Sequence, residues 1–377
     1  MTPKHFVTRF AYGFFLLFAL AGIFNRIVDP AWYYRDTVIK GFNAVKPEFL
    51  SFEQRVKPAL LVRDQPEALI LGSSYAEIGF DPTNPFFTDR GRMKGMNFAF
   101  ARAPWEKVQC HFEYAVTHSK IKRALVGFHP GDLPMADCEK DSESIGDIDT
   151  IDLLFTYSAL DFSIKTILKQ KESDITHTPE GMYFYYRGVN PANYFRQGLE
   201  ARSASCGNSK NNPGKAQNLN LSGLRRMIQS AQAHNVELVL FAYPEHAYLL
   251  EMDYLCGDME EKWKVMQQIG SFIDSESAGK IPAWQFYGYN AVTAEPVRNS
   301  MWYWQDSRHF NYEVGNMFLE DIFAKSRSPE NNPVFARSLN TSYADFLNER
   351  DEYLRFHPQF TTNMRWVNPK FSILPRN

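Results

Sequence analysis

What the chain lacks narrows its chemistry first. Its four cysteines, Cys110, Cys138, Cys206 and Cys256, contain no C-x-x-C pair, so neither a zinc site nor a thioredoxin-type redox motif has its minimum parts. There is no G-x-x-x-x-G-K-[ST], no G-x-G-x-x-G behind a strand and no H-E-x-x-H, which removes the nucleotide, dinucleotide and zinc-protease readings. No metal and no cofactor is therefore expected. Excess charge of either sign is also missing: 41 basic against 43 acidic side chains leave a formal net charge of -2. Without a basic stripe the chain offers no footprint for a phosphate backbone, and nucleic acid is not an expected partner. No internal repeat is evident.

What is present fits a packed globular protein of 377 residues, with 44% hydrophobic content. The 15% aromatic share, 31 Phe, 7 Trp and 19 Tyr, serves either dense packing or the walls of a binding cleft. Cys138, Cys206 and Cys256 fall in polar segments where a disulfide could form outside the cytoplasm, whereas Cys110 sits inside a helical pattern. The pairing is not readable from the sequence.

From Phe10 to Phe24 the chain runs fifteen residues without a charge, flanked by Lys4 and Arg9 before and by Asn25 and Arg26 after. That pattern reads as a signal peptide or a short membrane anchor, with a buried core helix as the alternative. Phe6 and Val7 extend it, and Arg9 and Arg26 can snorkel from its ends. Ala19-Leu20-Ala21 resembles a cleavage site, yet Arg26 to Pro30 continues without a polar linker, which favours retention. The basic residues before the span place the N-terminus inside and the bulk of the chain outside, against Arg26, Arg35 and Lys40 on the far side.

Beyond this anchor (1–30) and a juxtamembrane stretch (31–66), short apolar runs alternate with helical periodicities, the signature of a parallel sheet. Strands are expected at 68–71, 95–100, 124–128, 237–242 and 283–286, and helices at 105–118, 221–233, 260–273 and 313–324. Five strands with intervening helices make a flavodoxin-like doubly wound α/β sheet the natural architecture of residues 67–325. The stretch from about 133 to 220 breaks the rhythm, with one helical piece at 151–169 and then a Gly-, Asn-, Ser- and Lys-rich run ending near Gln217; it reads as an insertion or lid. Residues 326–377 form a C-terminal extension with a short helix near 343–354.

In an open parallel sheet, ligands meet the protein beyond the carboxyl ends of the strands. Ala68-Leu69-Ile70-Leu71-Gly72-Ser73-Ser74-Tyr75 is a strand, a glycine turn and a hydroxyl at the start of a helix. Ser74 is either a nucleophile or a helix cap there. Far downstream, Asp306-Ser307-Arg308-His309 places a carboxylate three residues before a histidine. A nucleophilic serine needs such a base, and the base needs an anion to fix its tautomer. His246, after Pro244 at a strand end, and Trp302, Tyr303 and Trp304 before the Asp306 motif are candidate substrate contacts, each with a packing role as the alternative.

Taken together, Leu71-Gly72-Ser73-Ser74 with Gly79-Phe80-Asp81-Pro82, Met96-Asn97-Phe98-Ala99, Phe241-Ala242-Tyr243-Pro244-Glu245-His246, Trp284-Gln285-Phe286 and Asp306-x-x-His309 resemble the SGNH/GDSL hydrolase superfamily. The resemblance is to its membrane-anchored bacterial cell-envelope relatives, akin to alginate acetylation proteins and to the D-alanyl transfer protein of teichoic acids. It implies that the N-terminal span is kept, in the bacterial inner membrane, with the rest periplasmic or extracytoplasmic. It also implies that Ser74 is the nucleophile, with Asp306 and His309 as its relay. The activity implied is O-acyl, mostly acetyl, cleavage or transfer, with an acylated carbohydrate or acyl donor as ligand and a membrane-bound acyltransferase as a partner. The chain departs from the pattern at two oxyanion donors: Ala101-Arg102-Ala103-Pro104 has no glycine, and Gly127-Phe128-His129-Pro130 has no asparagine. Arg102 and His129 are the candidate substitutes, beside the backbone N–H groups of Ser74 and Tyr75. If they do not substitute, the alternative is a catalytically weak relative that binds glycan or serves in envelope polysaccharide assembly.

Overall fold

A computed structural model describes residues 3–138, 145, 150–170, 175–185, 190–206, 219–324 and 335–367. The chain divides into two compact units, one made of 1–64 with 142–186 and the other of 65–141 with 187–377. The first unit takes up part of the expected insertion, and the second takes up the rest of it and the C-terminal extension. The glycine- and asparagine-rich run over 207–218, expected as part of a lid, lies outside the described residues.

The first unit begins with α1 (Pro3–Val28), a 26-residue helix in which only Gly22, Asn25 and Val28 are buried. At 1.5 Å per residue it is about 39 Å long, more than the roughly 30 Å of a bilayer's hydrocarbon core. It is long and apolar enough to cross a membrane. Asp29 caps its end, accepting from the backbone N–H groups of Tyr33, Tyr34 and Arg35 at 2.8, 3.1 and 2.9 Å. Lys46 donates to the Val28 carbonyl at 2.7 Å and lies over the Trp32 ring. Desolvation there, partly offset by Asp29, lowers the Lys46 ammonium to about 8. The unit also holds α2 (Glu53–Asp64).

The second unit carries the sheet. Its strands are β1 (Ala68–Leu71), β2 (Gly95–Asn97) and β3 (Arg123–Phe128), followed further along by β6 (Glu237–Ala242), β7 (Ala283–Gln285) and β8 (Arg337–Ser338). The order is β2-β1-β3-β6-β7-β8, parallel throughout except for the antiparallel edge pair β7–β8. β4 (Ile175–His177) and β5 (Tyr183–Tyr185) form a separate antiparallel hairpin in the first unit. Every residue of β1 and β3 is buried, so both faces of the central strands are covered, as the continuous apolar runs require. The covering helices include α3 (Ser74–Gly79), α4 (Trp105–His118), α8 (Ser222–Ala233), α10 (Met259–Ser277) and α11 (Tyr312–Phe323). α4, α8 and α10 pack in series, whereas α3 packs on α11.

The five expected strands and four sheet-flanking helices are all present, with ends shifted by a few residues; the second strand is regular only to Asn97, although the N–H groups of Phe98 and Phe100 still donate to the Ile70 and Gly72 carbonyls at 2.8 and 3.1 Å. The helical piece at 151–169 is two helices, α5 (Thr150–Phe155) and α6 (Tyr157–Leu168), broken at Thr156, whose hydroxyl caps α6 by accepting from Ala159. α7 (Pro191–Ala204), α9 (Ala247–Leu255), α12 (Tyr343–Phe356) and α13 (Gln359–Val367) are further helices of the second unit among the described residues. Cys110 was the cysteine least suited to a disulfide by its helical context. It nevertheless pairs with Cys138, and Cys206 pairs with Cys256. A buried helix face is compatible with a disulfide when a following loop packs back onto it, and here the Cα atoms of 110 and 138 stand 5.2 Å apart.

The α3–α11 contact is backbone on backbone. A methyl at Gly315 would lie 1.7 Å from the Gly79 carbonyl oxygen. Gly315→Ala should therefore destabilise the protein by about 1–3 kcal/mol through overpacking, read as a lower urea midpoint at unchanged m-value.

Candidate active site

Three side chains from opposite ends of the chain form a hydrogen-bonded relay. Ser74 Oγ lies 3.0 Å from His309 Nε2, and His309 Nδ1 lies 2.7 Å from Asp306 Oδ2. An ionised carboxylate only accepts, so Nδ1 carries the proton and Nε2 is left to accept from the serine hydroxyl. That is the protonation pattern in which imidazole acts as a base toward serine.

Each member is held by its local fold. Ser74 is the first residue of α3, directly beyond the carboxyl end of β1. Gly72 makes the turn: its φ is +150°, and a Cβ there would sit 2.2 Å from Tyr243 Oη. That hydroxyl accepts from the Ser73 N–H at 2.7 Å and donates to the Gly127 carbonyl at 3.0 Å, tying the Gly72–Ser74 turn to β3. Asn97 fixes the other end of α3, donating to the carbonyls of Ala76, Glu77 and Phe80 while accepting from Ala99.

Asp306 and His309 sit on a tight loop closed by an antiparallel bridge between Trp304 and Phe310 and by Gln305 N–H donating to the His309 carbonyl at 2.8 Å. Asp306 Oδ1 accepts from the backbone N–H of both Arg308 and His309, at 2.7 Å each. Burial raises the cost of its charge, but the hydrogen bonds and charge of His309 and these N–H groups outweigh it and hold the Asp306 carboxyl below the ordinary range. Asn311 then caps α11, accepting from Glu313 and Val314.

Tyr75 stacks on the His309 ring, with centroids 4.5 Å apart and planes 9° from parallel. The Tyr75 ring also meets His129 edge-on at 4.8 Å. His129 follows β3, as Ser74 follows β1, so both sit at the point where the order β2-β1-β3 reverses direction. That crevice is where open α/β sheets bind their ligands. His129 is solvent-exposed by surface area, although its ring is crowded by the Tyr75 and Tyr243 rings at 4.8 Å each. Desolvation first, then the charges of Arg308, Lys262 and His309, push it down to about 4, and it is neutral at pH 7. A neutral imidazole can donate a hydrogen bond without carrying charge into the site.

Behind this rim lies a charge network. Lys262 donates to Glu245, and to Asp253 at 2.9 Å, while Arg202 bridges Asp253 and Asp258. Arg308 engages the Tyr75 hydroxyl and feels Glu245. A cleft of about 220 Å³ opens beside the Ser73–Ser74 turn, lined by Ser73, Trp105, His129 and Tyr243 among others. On its wall Ser73 Oγ and Trp105 Nε1 are buried without a protein partner among the described residues.

The remaining sequence candidates are placed differently. Arg102 is exposed in the loop after β2, with φ at +58°, the left-handed backbone a glycine would take. His246 is not on the rim. It is fully buried as the cap of α9, with Nδ1 accepting from Tyr248 and Nε2 donating to the Glu295 carbonyl, and burial lowers it to about 3. Trp304 is 2% exposed, with its indole N–H donating to the Val292 carbonyl, so it is packing rather than a sugar platform. Trp302 is 69% exposed, and its backbone N–H donates to Glu295. Both turn inward to satisfy buried backbone groups, the Tyr248 N–H and the Glu295 carbonyl for His246 and the Val292 carbonyl for Trp304. Sequence reasoning missed Tyr243 and Arg308; the signal for Tyr243 was a hydroxyl ending the apolar run Leu238 to Ala242 at a strand's carboxyl end. No protein family, curated protein or solved structure matches the chain.

His129 gives a pH signature. Its folded pKa lies below the unfolded value of 6.5, so between 6.5 and about 4 the unfolded chain binds the extra proton. Its contribution to stability is complete above 6.5 and is lost as pH falls toward 4. His129→Asn should flatten that part of the profile, measured as the urea midpoint at pH 7 against pH 4.5.

Proposed function

We propose that the chain is a membrane-tethered serine O-acyl esterase or transferase of the SGNH/GDSL type, acting on a cell-envelope carbohydrate from the extracytoplasmic side. The observation that carries this reading is the relay Ser74 Oγ–His309–Asp306, with contacts of 3.0 and 2.7 Å. In it, Ser74 attacks an acyl carbonyl, His309 takes the hydroxyl proton at Nε2, and Asp306 holds the imidazolium. The proton then passes to the departing alcohol, and water or a sugar hydroxyl, deprotonated by the same nitrogen, releases the acyl group.

The parallel strands read 2-1-3-4-5 in sequence order, the order of flavodoxin-like doubly wound sheets, which supports the fold expected for that superfamily. Two disulfides fit an oxidising compartment, and α1 fits a single-pass anchor. The two departures from the family pattern are accommodated in specific ways. Arg102 adopts the positive φ that suits the missing glycine, so its backbone N–H can be turned as a glycine's would be. His129, neutral beside Tyr75, stands in for the missing asparagine as a donor to the oxyanion.

A fluorophosphonate should label the wild type at Ser74 and leave Ser74→Ala unlabelled; absence of labelling in the wild type would sink the proposal. His309→Ala should lower hydrolysis of a small acetyl ester by roughly 10³-fold or more. His129→Ala should lower kcat on the order of 10²-fold with little change in KM, and His129→Asn should restore most of it.

A further inference from the structure

Within the first unit, α5 and α6 are packed against α1 at a definite height. The Phe155 ring stacks on Phe18 with centroids 4.6 Å apart and planes 13° from parallel. It also fills the space over Gly22, where a Cβ would come within 2.3 Å of the ring. One step toward the helix end, the Asn25 side chain donates to the Leu154 carbonyl at 2.7 Å. Arg26, paired with Asp36, is the first charge after the apolar stretch. Phe18 precedes it by eight residues and Gly22 by four, so Phe155 lies roughly 6–12 Å on the hydrocarbon side of Arg26. A bilayer that holds Phe10 to Phe24 must therefore also receive the turn between α5 and α6.

The outward surface of these two helices suits that position. Tyr157, Ile164 and Leu168 are 83, 44 and 75% exposed and fall at i, i+7 and i+11, one face of α6; Ile151 on α5 is 59% exposed. The pair Lys165–Asp161, 2.7 Å apart, flanks the stripe. Apolar side chains this open, continuous with a helix long enough to span a bilayer, match an interfacial element better than a surface facing water.

We propose that α5 and α6 are a second membrane contact, lying at the headgroup–acyl boundary of the leaflet from which α1 emerges, with Ile151, Tyr157, Ile164 and Leu168 facing lipid. The inference rests on α1 crossing a bilayer and not on any catalytic reading. It gives the first unit two points of contact with the membrane, which would restrict how it tilts on its anchor.

All four native cysteines are paired, so one new thiol can carry a nitroxide label. The full chain would be reconstituted in phosphatidylcholine–phosphatidylglycerol vesicles with the label at Leu16→Cys, Tyr157→Cys or Lys264→Cys, the last as an aqueous reference. The ratio of collision rates with oxygen and with a water-soluble nickel chelate should be at least about threefold higher at 157 than at 264, as for a group roughly 5–10 Å into the boundary. A bilayer ratio at 16 with an aqueous ratio at 157 overturns the inference alone. Aqueous ratios at both overturn it together with the span of α1. A label at 157 shielded from both reagents, with dipolar broadening that dilution by unlabelled protein removes, would show a second copy on this face and also overturn it.

Discussion

Gly79 and Gly315 lie so close that a side chain on either would strike its neighbour, a Cβ at Gly79 meeting the Phe310 ring at 2.2 Å and one at Gly315 meeting the Gly79 carbonyl. This contact holds the end of α3 against the start of α11. Because α3 begins with Ser74 and the loop before α11 ends at Phe310, seating Phe310 between Gly79 and Phe80 leaves its neighbour His309 facing the serine. Two residues 235 positions apart thus meet at 3.0 Å through the packing of elements that have no chemistry of their own. Tyr243 performs the matching task on the sheet side, where one hydroxyl joins the Gly72–Ser74 turn to β3.

Electrostatics around the relay are balanced locally. Lys262, Arg202 and Arg308 stand with Glu245, Asp253 and Asp258, three cations and three carboxylates behind the rim. Burial alone would discharge Asp253, but Lys262 and Arg202 keep its carboxyl below the ordinary range. Such buried pairs are weak evidence for stability, since desolvation offsets much of their attraction. Their effect on the site is directional. Arg308 and Lys262 present positive charge toward His129 and so help keep it unprotonated, while the Asp306 carboxylate remains the anion that His309 touches.

The sheet was legible because its strands read as short apolar runs and its helices as 3.6-residue periodicities, and α4 is found at the expected residues. α9 was not, because seven of its nine residues are buried and a helix apolar on every side has no periodicity to read. α7 carries a readable Ala192, Phe195 and Leu199 spacing, hidden by the polar insertion around it. β8 is two residues long and antiparallel, too short to show any pattern. Of the site, Ser74, Asp306 and His309 were legible from motif spacing. His246 and Trp304 were misplaced, since a sequence tells which residues stand near a strand end and not which way each side chain turns.

By itself, the sequence determined the alternation of strands and helices, the apolar N-terminal helix and the three residues able to form a relay, because these depend on local order and side-chain chemistry. Tertiary structure decided the rest. The pairing of Cys110 with Cys138, the left-handed backbone at Arg102 and the stacking of Tyr75 on His309 depend on which distant segments are pressed together. So does the depth of Phe155 along α1. Contacts between residues far apart in the chain are set by the packing of whole elements, and no short stretch of sequence encodes them.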